Sequence, residues 1–239
     1  GTNTSKESKE YFSKLDENTT NYNLTEECKK NLELAFDKKL TNDRKNWLNG
    51  YNKQTIIERN EKNVSVSDFI NKDLIHFSNY DNERSIPSMI DGFKPSQRKI
   101  LFAALKKNLT NEIKVAQFSG YVSEHSAYHH GEMSLQGAII NMAQDFVGSN
   151  NINLLEPIGQ FGTRLQGGKD HASPRYIFTK LNDLTNILFN KDDNYLLNYL
   201  DDDGMKIEPR YYLPILPTIL INGTEGIGTG WSTKLPSFN

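Results

Sequence analysis

Apolar residues recur at helical spacing through the first 150 or so positions, and after that the pattern breaks into glycine-punctuated and β-rich stretches. Thr4-Ser5-Lys6-Glu7 has the form of a capping box, with Thr4 able to cap and Glu7 able to reach back, so a short helix is predicted to about residue 15. Cys28, Leu32, Ala35 and Phe36 fall on one face of a second helix, and residues 41–48 suit a third. Residues 49–66 are polar without a period and read as a loop or linker. Helical spacing returns over 67–78. A turn at Asp91-Gly92 leads to Pro95, which suits the first turn of a helix over 95–108. That helix places Ile100, Leu101, Ala104 and Leu105 inward and leaves Arg98, Lys106 and Lys107 for solvent or phosphate. A break at Thr110-Asn111 and a helix over 115–124 complete a helix-turn-helix candidate, and Leu135, Ala138, Ile139, Met142 and Phe146 then mark a further amphipathic helix. Gly159, Gly162, Gly167 and Gly168 then punctuate a loop running into a predicted strand over 175–179. A helix is expected over 181–189. Residues 211–222 read as β-rich, with Pro214 and Pro217 suggesting edge strands. Helices, then a glycine-rich loop with strands, then another helix describe a winged helix in an α+β setting.

Composition narrows the class. The chain has 239 residues, Lys+Arg 28 against Asp+Glu 30, and a formal net charge of -2. No apolar run approaches the roughly 20 residues that span a bilayer, and the first ten residues lack the apolar core of a signal peptide. Cys28 is the single cysteine, which excludes an internal disulfide and a cysteine-based zinc site. Membrane, secreted-scaffold and zinc-finger readings are therefore not expected. The distribution of charge says more than the total. Residues 84–130 carry 7 basic and 3 acidic side chains with three of the five histidines, and residues 158–180 carry 4 basic and 1 acidic. Residues 182–208 reverse this, with 2 basic and 7 acidic. If the two basic stretches meet in space they form a footprint for a polyanion; ordinary surface fluctuation explains the counts as well.

Several constellations are candidates for chemistry. The stretch from Gln160 to Asp170 leads to Ser173-Pro174-Arg175-Tyr176, setting a phenol beside a guanidinium at the end of a basic loop. A phenol of pKa about 10 attacks poorly unless a cation or metal stabilises its phenolate, whereas arginine can hold two non-bridging phosphate oxygens. The residues alone leave open a strand tyrosine packed on the core beside a surface arginine. His125 and His129 are four apart, near His130 and Glu132; a metal site, a phosphate contact and a structural histidine all fit that spacing. Gly223 to Gly230 looks like a dinucleotide loop, but Trp231-Ser232-Thr233 does not start a helix, so a nucleotide site is not expected and Ile227 is left on a glycine-rich turn. Asp192-Asp193 and Asp201-Asp202-Asp203 suit solvated acidic loops. No metal site is expected in the chain itself.

A resemblance enters on longer motifs. Asp81-Asn82-Glu83-Arg84-Ser85-Ile86-Pro87, Asp91-Gly92-Phe93-Lys94-Pro95-Ser96-Gln97-Arg98-Lys99, Tyr128-His129-His130-Gly131-Glu132, Pro157-Ile158-Gly159-Gln160-Phe161-Gly162-Thr163-Arg164, Ser173-Pro174-Arg175-Tyr176 and Asn222-Gly223 to Trp231 together resemble the eukaryotic type IIA DNA topoisomerases. The likeness extends back to Gly1 and covers nearly the whole chain; Ser96 departs from the glycine usual in the family. It implies a fragment of the DNA breakage–reunion core of α+β class. Residues 1–76 would be a helical connector from the end of the Toprim region. Residues 77–216 would be a winged-helix (helix-turn-helix) domain with the active tyrosine, and 217–239 the β-rich start of a tower domain. Residue by residue, Tyr176 matches the nucleophile and Arg175 the cation that holds the scissile phosphate. Arg84, Lys94, Arg98 and His130 match positions lining the DNA backbone, and Ile227 the side chain that wedges between base steps. The resemblance further implies double-stranded DNA as substrate and a homodimer in which the other protomer's Toprim domain completes the active site. It also implies Mg²⁺ and ATP bound outside this chain, and a nuclear location. A non-catalytic winged-helix binder and a histidine-based metalloenzyme are the competing classes.

Overall fold

The computed structural model describes residues 3–58 and 61–239. The chain divides into two compact units, residues up to 82 with 228–231, and residues 83–227 with 232–239.

In the first unit, α1 (Ser5–Ser13) starts at the expected capping box: the Glu7 N–H donates to Thr4 Oγ1 at 3.3 Å and the Thr4 N–H to Glu7 Oε2 at 2.7 Å. The Thr4 N–H and the Thr4 hydroxyl both donate to Glu7 Oε2 and hold that carboxyl below its usual range. After α2 (Leu15–Asn18) and β1 (Asn21–Asn23), α3 (Glu26–Phe36) opens with Cys28 in the role a glutamate usually takes, its Sγ accepting the Thr25 N–H at 3.2 Å. Of the predicted apolar face, Cys28 and Ala35 are buried while Phe36 is exposed. Arg44 on α4 (Thr41–Asn49) is buried because its guanidinium donates to Leu34 O at 3.0 Å and Asp37 O at 2.7 Å, satisfying carbonyls at the C-terminal end of α3. Residues 49–66 are not all loop: β2 (Asn63–Ser65) pairs in parallel with β1. This short pairing lacks the length to register as a pattern. Then come α5 (Val66–Phe69), a π turn over Ile70–Leu74 and α6 (Ile75–Ser85), in place of the one continuous helix expected. The expected boundary at 76/77 falls inside α6.

The second unit is built on α7 (Pro95–Lys107), α8 (Val115–Ser126) and α9 (Glu132–Ala143), which follow the predicted helices within two or three residues. Their shared core includes Ile100, Leu101, Phe118, Val122, Leu135 and Ile139, each fully out of solvent. Truncating one such leucine to alanine costs about 2–5 kcal/mol through lost burial and the cavity left behind. β3 (Ile113–Lys114) pairs antiparallel with β4 (Phe178–Thr179). The strand predicted over 175–179 is thus only its last two residues, and 174–176 form a turn. Beyond α10 (Asp183–Leu188), β5 (Tyr199–Asp202) and β6 (Met205–Pro209) make a hairpin packed on α7 and α8.

Residues 211–217 form no strand, and α11 (Thr218–Ile221) takes the place of the expected β structure. Proline cannot donate to a ladder, and the backbone here is satisfied by a side chain instead. The Tyr212 N–H donates to Asp91 Oδ2 at 2.8 Å, and Thr218 Oγ1 donates to Asp91 O at 2.8 Å. β7 (Thr224–Ile227) and β8 (Ser232–Leu235) form the last hairpin.

Candidate nucleic-acid interface

The turn carrying Arg175 and Tyr176 is held on both sides. Within it the Tyr176 N–H donates to Ser173 O at 2.9 Å. From outside, the first two amides of α8 reach it: Val115 N–H to Ile177 O at 3.0 Å and Ala116 N–H to Pro174 O at 3.1 Å. Helix amides that have no intrahelical partner thereby become the anchor of the turn. Ile177 is buried, and it packs so closely on Gly159 that a Cβ there would sit 3.1 Å from Ile177 Cγ2. With backbone and Ile177 tied down, Tyr176 projects outward at 72% exposure beside an exposed Arg175. That is the opposite of a strand tyrosine packed on the core. Tyr199 and Tyr212 provide the contrast, since burial pushes both phenols above their ordinary range and keeps them neutral.

The preceding loop is closed by Asp170, which accepts the Thr163 N–H at 2.8 Å and the Thr163 hydroxyl at 2.7 Å. Those two bonds hold its carboxyl below the usual range. Arg164 and Lys169 are exposed on this loop.

Arg84 is exposed near the end of α6, and His130 lies in the segment between α8 and α9. Desolvation first, then the positive charges of Arg84, His129 and Lys99, hold the His130 ring below its ordinary pKa of 6.5. Lys94 occupies the N-cap of α7, at the positive end of the helix dipole. Ile227 ends β7 and is 73% exposed. Gly226 before it has no space for a side chain, as a Cβ would run into Ser85 O.

Arg98 departs from expectation. It does not face solvent or phosphate, because its guanidinium is buried in a forked pair with Asp91: Nε to Oδ2 at 2.9 Å and Nη2 to Oδ1 at 2.9 Å, with a further bond from Nη2 to Phe93 O at 3.0 Å. Asp91 also accepts the Phe93 N–H at 3.0 Å, so both charges are saturated by hydrogen bonds. Arg98 is a buried cation paired with Asp91. Lys99 is likewise engaged, 2.9 Å from the buried Glu208. Sequence reading missed Asp91 and Glu208 because their partners are fixed only by the packing of α7 against 208–212. His125 and His129 do not share a helix face: α8 ends at Ser126 with Ala127 left-handed, His125 stacks on Tyr121 at 3.9 Å, and His129 faces Asp202 at 3.1 Å. Among the described residues no three His, Cys, Asp or Glu side chains group to hold a metal ion.

Residues 84–239 match the DNA gyrase/topoisomerase IV family model. The chain belongs to that family. Residues 1–82 match the C-terminal associated domain of TOPRIM, and the junction between the two matches coincides with the division between the compact units. Over its whole length the chain is 59% identical to DNA topoisomerase 2 of Arabidopsis thaliana and 54% to that of Plasmodium falciparum. It is 53% identical to DNA topoisomerase 2-alpha of Homo sapiens. It spans 16–17% of the length of these relatives. A crystal structure of the Plasmodium falciparum topoisomerase II DNA-binding, cleavage and re-ligation domain superposes with a TM-score of 0.79 at 54% identity, covering 100% of this chain and 33% of that one. Membership in the DNA gyrase/topoisomerase IV family agrees with the resemblance read from the motifs around Arg84, Lys94, His130 and Tyr176.

Proposed function

We propose that the chain is the breakage–reunion segment of an ATP-dependent type II DNA topoisomerase, with Tyr176 as nucleophile. The observation that carries this reading is a phenol and a guanidinium projecting side by side from a turn anchored by the α8 amides. The Tyr176 oxygen gives up its proton and attacks a DNA phosphorus in line. The bond from phosphorus to the 3′ oxygen breaks, the 3′ oxygen takes up a proton, and the 5′ phosphate is left esterified to Tyr176. One phosphodiester replaces another, so the step reverses without added energy and permits resealing after a second duplex has passed through the double-strand break. Arg175 holds the non-bridging oxygens as charge gathers on them, an electrostatic contribution of the kind that typically carries a factor of about 10²–10³ in rate.

Around that centre, Arg84, Lys94 and His130 line the DNA backbone. A lysine at a helix N-cap is electrostatically unfavourable by itself but well placed if it and the α7 amides face the same phosphate. Exposed Ile227 wedges between base steps and bends the duplex, at a cost of a few kcal/mol that wrapping over basic surface offsets. α7, α8 and α9 with the β5–β6 hairpin are read as the winged helix, residues 1–76 as the connector from the Toprim region, and 217–239 as the start of the tower. Mg²⁺ and ATP are the cofactors implied for the whole enzyme. Both are assigned to domains outside this chain, Mg²⁺ to the Toprim domain of the other protomer in a nuclear homodimer.

The test is a denaturing-gel assay for protein–DNA adducts on supercoiled DNA with Mg²⁺. The chain is assayed alone, then mixed with a Toprim-containing partner mutated at its own tyrosine. An adduct that needs the partner and vanishes with Tyr176→Phe is the expected result. Adduct formation by Tyr176→Phe refutes the nucleophile assignment, and salt-sensitive DNA binding with no adduct leaves a non-catalytic binder.

A further inference from the structure

We infer that Gln144 is a positioning residue for strand cleavage, its carboxamide clamping the two ends of the basic loop that leads into the nucleophile turn. The inference rests on the reading of Tyr176 as the nucleophile and deepens it.

Gln144 follows the last residue of α9 and has left the helix, with an extended backbone and its own N–H still bonded to Ile140 O at 3.0 Å. Its side chain turns into the protein and is buried, and its Nε2 donates to Phe161 O at 2.8 Å and Gly168 O at 3.2 Å. Those two carbonyls stand at the start and end of the loop carrying Arg164, and one amide group therefore sets the width of its base. The backbone carbonyl of Gln144 is held from the other side by Asn150, whose Nδ2 donates to it at 2.9 Å.

Two glycines are cut to fit this clamp. Gly168 has φ +80, and a Cβ on it would drive into the Gln144 carboxamide. Gly162 has φ +94, and a Cβ there would meet the Gly168 backbone at 2.5–2.7 Å. Both are positions where a side chain is strained by conformation and by space. Inside the loop, the Gly168 N–H donates to Thr163 O at 2.9 Å, and Thr163 is stapled to Asp170. Four residues after Asp170 the Pro174–Tyr176 turn begins, already tied to α8 through Pro174 O and Ile177 O. Gln144 thus joins the end of α9 to the segment that delivers the phenol, without itself facing solvent. A displaced loop moves the cations beside the phosphate, and misplacement of about 1 Å costs up to about a hundredfold in a reaction that depends on alignment.

The experiment is made in the full-length protein with Gln144→Met, which keeps the length of the side chain and removes both donors. Single-turnover cleavage is expected to slow about tenfold to a hundredfold, while duplex affinity changes less than about threefold because no phosphate contact is lost. Hydrogen exchange should speed at the Thr163 and Gly168 amides and stay unchanged in α7. Gly168→Ala is expected to act through the same clamp, so that the double variant is no slower than the slower single variant. Thr163→Val opens the loop from its exposed end without touching the core, and should also slow cleavage at an unchanged melting temperature. Parental cleavage by Gln144→Met or by Thr163→Val overturns the inference, as does an equal loss of cleavage and affinity. Tyr176→Phe assayed alongside separates the two readings. If it still forms an adduct, the nucleophile assignment fails; if it is inactive while Gln144→Met is fully active, only the clamp fails.

Discussion

Arg98 and Lys99 lie in the same basic stretch of sequence as Arg84 and Lys94, yet Arg98 is buried and Arg84 is exposed. Arg98 is locked in a buried fork with Asp91, and Lys99 sits 2.9 Å from the buried Glu208. Arg84 is exposed near the end of α6, its charge acting on His130, and Lys94 stands at the N-cap of α7. A run of cations in sequence is therefore not a surface. Helical periodicity left Arg98 for solvent or phosphate, but Asp91 from outside that helix draws it inward, and Glu208 engages Lys99. The buried pairs hold the second unit together by tying α7 to residues 91–93 and 208–212. Arg84 lies exposed, and Lys94 is half-buried at its N-cap position.

The comparison is broken most sharply at the tyrosine turn. Tyr176→Phe should remove all covalent adduct while shifting stability by less than about 0.5 kcal/mol, because the side chain is exposed; gel assay and thermal melting check both halves. Arg98→Met should cost about 3–5 kcal/mol, since Asp91 is left as an unpaired buried charge. Denaturant unfolding measures it, and a loss below about 1 kcal/mol would mean that Asp91 is relieved by its remaining amide donors. Arg175→Ala should slow cleavage about 10²–10³-fold but lower DNA affinity only slightly, reducing the salt slope of binding by about one. An equal loss in cleavage and binding would make Arg175 a docking residue.

The smallest effect concerns His130. Its folded-state pKa lies below 6.5, so the fold favours the neutral ring. Its contribution to stability is full above pH 6.5 and is lost as pH falls through the folded pKa. His130→Gln should flatten that acid-side loss, and melting temperatures between about pH 7.5 and 5 should show a shallower slope than the parent. An unchanged slope would separate His130 from the Arg84 and Lys99 charges.

Much of the fold was legible. The helices α7, α8 and α9 follow from apolar residues at helical spacing and from Pro95, and α1 from its capping box. Strands were not: β1 and β2 are three residues each, too short for a period of two to show, and 174–176 form a turn where β-prone residues suggested a strand. The stretch 211–217 read as β, but the Tyr212 amide is directed to Asp91. Of the candidate site, Tyr176, Arg175 and Ile227 were named from motifs, and the structure places each of them outward. Gln144 carried no signal, because a glutamine at a helix end looks like any polar cap.

Local information was enough to say which segments can be helical, where they start, and which motifs could bear the chemistry of a phosphodiester. These depend on neighbours within a turn or two of the chain. Packing settles which charges leave water and how the loop before Tyr176 is held at its base. The partners that settle those questions are Asp91 for Tyr212, Glu208 for Lys99, and Gln144 for Phe161 and Gly168. They lie from 17 to 121 residues apart, and a hydrogen bond across such a distance exists only once the helices between have packed.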